Sequence, residues 1–474
     1  MTSYLDNLVM MSNELSLTVV IVLLFLFDLF ATEKQQRHYH TLVCVLWGLF
    51  TIVSFFFGTE GSAFGGMYST NGMKLFVKNI LNIGVLFMFL QAGNWLKSPE
   101  TEIRRGEFYL ITLFTLLGIY FMISARHFML FYIGIELASV PLATLIAIEK
   151  TRTDAVEASA KYILSSVFAS AILLFGISYL YGAAGSLYYS DMTAAMSRQA
   201  PVLLGMAFFM AGLFFKISVA PFHLWTADVY EGAPVAVLSY LSVVSKGAAA
   251  FVLMLVLGEI FRPLAEVWQH LLWWLILLTI TLGNLFAIRQ KNLKRFFAFS
   301  SISQAGYLLL GVLVDSPEGM VATVYYLLAY IFSNFAAFGV LTAIESRTGM
   351  ISMNQYNGLY KTNPRLSLVM MIALFSLAGI PPTAGFFSKF FTFLAAAREG
   401  EYLLVFLALL NTIISLYYYL LIVKAMFLYN GEAEIPAIRT DNWNRISLVI
   451  ATAAILLLGF FPQVFTMIHR MGVL

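Results

Sequence analysis

SLVMMIALFSLAGIPPTAGFFSKFFTFLAAA, residues 367–397, is apolar almost throughout and too long to be one straight element. As an unbroken helix rising about 1.5 Å per residue it would run roughly 46 Å, well beyond the ~30 Å hydrocarbon core of a bilayer. The excess predicts a break, and the sequence marks its place. Pro381 and Pro382 lack N–H groups, which frees the carbonyls of Leu377 and Ala378, while Gly379 and Gly385 ease the bend. Freed carbonyls at membrane depth are tolerated only where protein buries them or water reaches them. Lys389 follows the break by about two turns.

The rest of the chain supplies the membrane that this reading needs. Of 474 residues 60% are hydrophobic and 11% charged, a balance that no soluble domain of this length could cover with polar surface. The sequence divides into fourteen apolar stretches of about 20 residues, the first centred near residue 22 and the last near 455. They are continuously apolar rather than alternating, so a helical bundle is expected and an outer-membrane barrel is not. The leader MTSYLDNLVMMSNELS has no basic n-region and no small-residue cleavage site, so the first stretch reads as a retained helix. The lone Cys44 excludes an intrachain disulfide and leaves no thiolate set for zinc or an iron–sulfur cluster. It reads as a small buried hydrophobe. No GxGxxG follows a strand, and the glycines of GTEGSAFGGM, 58–67, lie between helices, so no dinucleotide site is indicated. Redox chemistry would belong to partners, and nothing points to a bound metal or to nucleic acid.

Basic residues give the orientation. Counted from the N-terminus, the odd loops hold 17 Lys and Arg, while the even loops and the C-terminus hold 7, among them Lys74 and Lys78. The basic side is expected in the cytoplasm, which places both termini on the non-cytoplasmic side. No Pro/Ser-rich linker or soluble insertion divides the chain, so residues 1–474 read as one membrane domain. A faint repeat is visible between KYILSSVFASAILLF at 161 and YYLLAYIFSNFAAFG at 325, with matches at Tyr162/Tyr326, Leu164/Leu328 and Phe168/Phe332. Paired broken helices in comparable places, the seventh and the twelfth, strengthen it.

The seventh stretch contains FFKISVAPFHLW, 214–225, where Pro221 frees the carbonyl of Ile217, one residue beyond Lys216. A charged residue near the bilayer centre costs at least a few kcal/mol and usually faces a polar interior. Lys216 and Lys246 are too deep to snorkel; Lys389 lies nearer its helix end, where snorkelling is open to it. The bland alternative for all three is a static ion pair that holds helices together. Glu136, in RHFMLFYIGIELASVPL, is the one acid read at comparable depth and is the natural counter-ion. A buried lysine with a movable counter-charge is a proton-loading switch. His223 can take a proton on one nitrogen and give it from the other, or can be polar filler. Glu157 and Lys161, spaced i,i+4, read as a surface pair.

Three stretches then carry a resemblance: FKISVAPFHLWTADVYEGAPVAVLSYLSVVSKGAAA (215–250), NLKRFFAFSSISQAGYLLLGV (292–312) and SLAGIPPTAGFFSKFF (376–391). They resemble the antiporter-like membrane subunits of proton-pumping NADH-quinone oxidoreductase, respiratory complex I, themselves similar to subunits of Mrp-type cation/proton antiporters. DVYEGAP, 228–234, is similar to the subunit N branch, and the chain ends after its fourteenth stretch without the long lateral helix of the largest sister. The resemblance implies an all-α polytopic fold of about fourteen transmembrane helices. Two inverted five-helix repeats would contain the broken helices 7 and 12. It implies three N-terminal helices over 1–105, a first repeat over 106–260, a second over 265–430 and a last helix over 440–474. Its proton-translocating residues fall on Glu136, Lys216, His223, Lys246 and Lys389. The implied activity couples quinone reduction elsewhere in the complex to proton transfer here. The electron donor, NADH or another, and the quinone would be used by the whole complex and not bound by this chain. Sister membrane subunits and the lipid of a bacterial inner membrane are the implied partners. The alternative is an Mrp-type cation/proton antiporter subunit, which would favour more membrane acids.

Overall fold

A computed structural model describes residues 4–429 and 434–472; residue 430, the expected end of the second repeat, and Leu474 lie outside the described residues. Twelve helices among the described residues are long and apolar enough to cross a membrane. The shorter apolar helices Tyr39–Ser54 and Pro364–Ala378 complete fourteen spanning units. In chain order these are α1 (Ser12–Phe30), α2 (Tyr39–Ser54), α3 (Gly72–Ala92), α4 (Arg105–Ser124), α5 (Phe128–Ile146), α6 (Thr153–Ala184) and α7, in two pieces, Ala200–Ile217 and Leu224–Gly232. There follow α8 (Val235–Glu259), α9 (Ala265–Ile288), α10 (Leu293–Leu313), α11 (Pro317–Thr348), α12, in two pieces, Pro364–Ala378 and Ala384–Arg398, α13 (Tyr402–Leu428) and α14 (Asn442–Phe460). The glycine-rich loop after α2 forms a small antiparallel hairpin, β1 (Gly61–Ala63) with β2 (Tyr68–Thr70). It is the one sheet among the described residues.

Local chemistry sets the helix starts. Asn71 caps α3 by accepting from the Lys74 N–H at 2.9 Å, Asn292 caps α10 from Lys294 at 2.8 Å, and Ser316 caps α11 with Pro317 at its first position. α8, α10 and α11 are buried on nearly all sides and form the middle of the bundle, whereas α1, α6 and α13 expose broad apolar faces.

The two halves repeat their architecture. α6 and α11 are each 32 residues long, and each packs against both pieces of the broken helix in its own half, α7 and α12. Both breaks fall at the expected prolines. The first piece of α7 ends in Ser218, at φ 66°, and the first piece of α12 in Gly379, at φ 88°. Only a left-handed residue turns the chain so sharply there, and glycine does so at no steric cost. After the α12 break the second piece returns so close that a Cβ on Gly385 would collide with the Ser376 carbonyl.

A lysine line across the bundle

The first piece of α7 delivers Lys216 in its last turn, buried, with its Nζ donating to the Ser139 hydroxyl at 2.7 Å and the Ala138 carbonyl at 3.2 Å. Both acceptors lie where α5 itself is interrupted, between Phe128–Leu137 and Val140–Ile146, so backbone oxygen is available. Glu136 is half-buried on the preceding turn. Among the described residues no carboxylate lies within 4.0 Å of Lys216, Lys246 or Lys389, so Glu136, the expected counter-ion of Lys216, acts on it without touching it. Its charge acts across the Ser139 turn. A cavity of about 20 Å³ adjoins Lys216, lined by Ser139, Tyr162, Ser166 and Ser245 among others. That is room for about one water with several polar partners.

Ser245 leads to Lys246. A π-helical turn over Tyr240–Ser245 widens α8 just before this lysine, a distortion frequent at functional sites. Lys246 donates to the Ser301 hydroxyl at 2.8 Å and stands 5.7 Å from the centre of the Tyr230 ring. His223 begins the second piece of α7, beyond the break. The turn carries it off the face of Lys216 that a straight helix would have given it, and into electrostatic reach of Lys246. Its Nδ1 is buried without a protein partner, which suits a group that bonds to water.

One turn along α10 from Ser301, Gln304 donates to the Leu377 carbonyl at 2.9 Å and to the Tyr419 hydroxyl at 3.1 Å, and it accepts from Tyr326. Lys389 donates to that same Leu377 carbonyl at 3.0 Å and to Ala378 at 3.1 Å, with its ammonium 4.6 Å from the Tyr307 ring centre. The carbonyls freed by Pro381 and Pro382 are the ones that hold Lys389. It is buried, so the snorkelling alternative is corrected. The polar groups thus come in three stretches: Lys216 with the water-sized cavity that Ser245 also lines, Lys246 on Ser301, and, one turn along α10 from Ser301, Gln304 sharing the Leu377 carbonyl with Lys389. Tyr162 and Tyr326, matched in the faint repeat, occupy equivalent places, one lining the cavity beside Lys216 and the other the small cavity beside Lys389.

Other expectations change. Lys161 does pair with Glu157 at 2.8 Å, yet it also bridges to Asp228 on α7 at 2.8 Å, and Arg295 reaches Asp228 at 3.0 Å and Glu231 at 2.6 Å. The pair is part of a tie between the halves at one mouth of the bundle. On that face, too, opens a cavity of about 540 Å³ lined by Glu149, Arg152 and Glu345 among others. Glu345 pairs at 2.5 Å with Lys294, which is wholly buried and donates to Ala233 at 3.0 Å. Lys74 and Lys78, counted in a loop from the sequence, lie inside α3 and are buried. A second buried acid, Glu14 in the first turn of α1, stands against Lys78 at 2.5 Å. The signal for Ser301 and Gln304 was present in SSISQ, 300–304, a polar run on an all-buried helix.

Two long helices gripping two broken ones, with lysines midway through the bundle, define an antiporter-like polytopic membrane protein. The chain belongs to the NADH:quinone oxidoreductase/Mrp antiporter transmembrane family, which residues 125–415 match. It is 51% identical over 471 residues to NADH-quinone oxidoreductase subunit N of Azobacteroides pseudotrichonymphae genomovar. CFP2, covering 98% of each chain. It is 52% identical over 465 residues to the subunit N of Phocaeicola vulgatus, again covering 98% of each. Among solved structures it is similar to a chain of respiratory complex I from Thermus thermophilus with bound aureothin. That match has a TM-score of 0.80 at 31% identity, covering 96% of this chain and 98% of that one. A chain of the Mrp complex from Dietzia sp. DQ12-45-1b shares the fold, with a TM-score of 0.82 at 20% identity, covering 98% and 96%.

Proposed function

We propose that this chain is an antiporter-like, proton-translocating membrane subunit of an NADH-quinone oxidoreductase, in the role of subunit N, and a non-redox part of that translocase. The observation that carries the reading is the polar line from Lys216 to Lys389 in a chain 51% identical to a subunit N along nearly its whole length. Glu136, Lys216, His223, Lys246 and Lys389 are its proton-handling residues. A proton taken up through the 540 Å³ cavity loads the region of Lys216 and Lys246, and hydroxyls and water carry it toward Lys389. Gln304 does not itself shuttle a proton, but its amide holds the hydrogen-bond partners in register. The line is made of lysines, hydroxyls and an amide, which suits protons better than sodium, a hard cation that wants clustered oxygen ligands.

The functional halves are residues 106–260 and 265–430, with 1–105 and 440–474 flanking them. Quinone and the electron donor, NADH or another, are handled by other subunits, and the drive arrives as charge rearrangement from sister subunits in the membrane. The membrane is a bacterial inner membrane with both termini on its non-cytoplasmic side. Moving Lys74 and Lys78 out of the loop count sharpens the charge bias behind that orientation. A reporter fused after Leu474 should be active outside the cytoplasm, and cytoplasmic activity would reverse the assignment. The reading itself is tested by purifying the tagged chain in mild detergent. It should bring down the other subunits of an NADH-quinone oxidoreductase, with quinone-dependent proton uptake on reconstitution; a pure oligomer exchanging sodium for protons would sink it.

A further inference from the structure

We infer that the three N-terminal helices hold a second proton-releasing station, the buried Glu14–Lys78 pair, which empties through Lys74 toward the face carrying the β1–β2 hairpin. This rests on the proton-carrying reading above and gives that function an outlet remote from Lys389.

Lys78 is fully buried, Glu14 is 1% exposed, and their charged atoms are 2.5 Å apart. Tyr68 of β2 donates to the other Glu14 oxygen at 2.8 Å, and the Lys78 ammonium stands 5.1 Å from the centre of the Tyr120 ring. A buried pair of this kind is weak evidence for stability, because the desolvation of two ions consumes much of their attraction. Its surroundings are also unfinished. Asn13 Nδ2, next to Glu14 in the chain, is buried without a partner, and the buried Thr70 and Ser124 hydroxyls have only the Tyr68 hydroxyl to interact with. Buried polar atoms left over around an ion pair call for internal water.

The pair has an approach on each side. Inward, Tyr120 donates to Asn82 at 2.6 Å, one turn from Lys78 on α3, and Thr115 of α4 donates at 2.7 Å to Tyr240, where the π turn before Lys246 begins. Outward, Lys74 lies one turn from Lys78 on the same helix face. Its Nζ meets the Ser69 carbonyl at 3.2 Å and, among the described residues, makes no ion pair. Lys74 borders a cavity of about 310 Å³ that reaches the surface between Glu259, Arg262 and Asp315. Burial pushes the Asp315 carboxyl, in the loop after α10, above its ordinary range, and Arg126 pairs with Glu259 at 3.2 Å at the same rim. The step balances. Lys78 passes its proton to Glu14, leaving an amine and a carboxylic acid; the acid releases the proton to water on the Lys74 side; the amine takes the next proton from water on the Tyr120 side.

The test uses the assembled complex in vesicles. Glu14→Gln/Lys78→Met removes both charges at once, which a merely structural pair tolerates. The inference expects loss of most quinone-driven proton uptake at normal assembly. Normal uptake by that variant, beside a defective Lys216→Arg control, overturns this inference and leaves the proposed function standing; normal uptake by both overturns the function itself. Should the double variant not assemble, Lys74→Met and Tyr68→Phe, which keep the ion pair, decide in its place: reduced uptake supports the outlet, and unchanged uptake overturns it.

Discussion

Vesicles containing the complex with Lys216→Arg should take up protons no better than those with Lys216→Ala, at least about tenfold below the parent, as expected when a positioned proton-transfer group is lost. The lysine ammonium is compact and sits on two oxygens, Ser139 Oγ and the Ala138 carbonyl, beside space for about one water. It can hand a proton to that water. A guanidinium keeps the charge but does not give up its proton, so a fixed charge would replace a titrating one. If the site were a static counter-charge, arginine would serve, and near-normal uptake would be measured. His223→Ala should be milder, because its Nδ1 has no protein partner and water can stand in for the ring. Because Glu136 does not touch Lys216, Glu136→Asp should largely preserve uptake while Glu136→Gln depresses it. Equal loss in both variants, with the complex assembled, would argue against a charge role.

Lys389→Met should damage both transport and stability. It removes the donor from the Ala378 carbonyl and one of two donors from Leu377; each buried acceptor left unpaired costs about 1–3 kcal/mol. Gln304→Leu separates the two effects. It keeps every lysine but removes the amide that joins the Leu377 carbonyl to the Tyr419 and Tyr326 hydroxyls. Proton uptake should fall with Lys216 and Lys246 intact. The checks are proton uptake alongside the thermal inactivation midpoint of the purified complex. Full uptake by Gln304→Leu would show that protons cross from Lys246 to Lys389 by another way, and the route through α10 would be wrong.

Hydrophobic length and proline placement were enough to read the fourteen spans and both breaks, because a bilayer admits few lengths and proline removes a specific hydrogen bond. The carbonyls orphaned by Pro381 and Pro382 were legible too, but that Lys389 takes them was not, since its place near the helix end left snorkelling open. What the sequence could not place was anything decided between helices. Glu14 and Lys78 stand 64 positions apart, and each taken alone resembles a charge at a helix mouth; only the packing of α1 on α3 turns them into a buried pair. Glu136 and Lys216 looked like partners because they were the charges left over. The interruption of α5 after Leu137 sets Ser139 and Ala138 between them. His223 left the face of Lys216 because a break that opens the helix also rotates the piece beyond it. Sequence by itself determined the class of solvent, the number of crossings and the presence within them of Glu136, Lys216, Lys246 and Lys389, all of which depend on local composition. Which of those charges meet, through which hydroxyl or carbonyl, and beside which cavity was decided by tertiary structure alone, because a hydrogen bond forms or fails over a few tenths of an ångström, well below what helical spacing can specify.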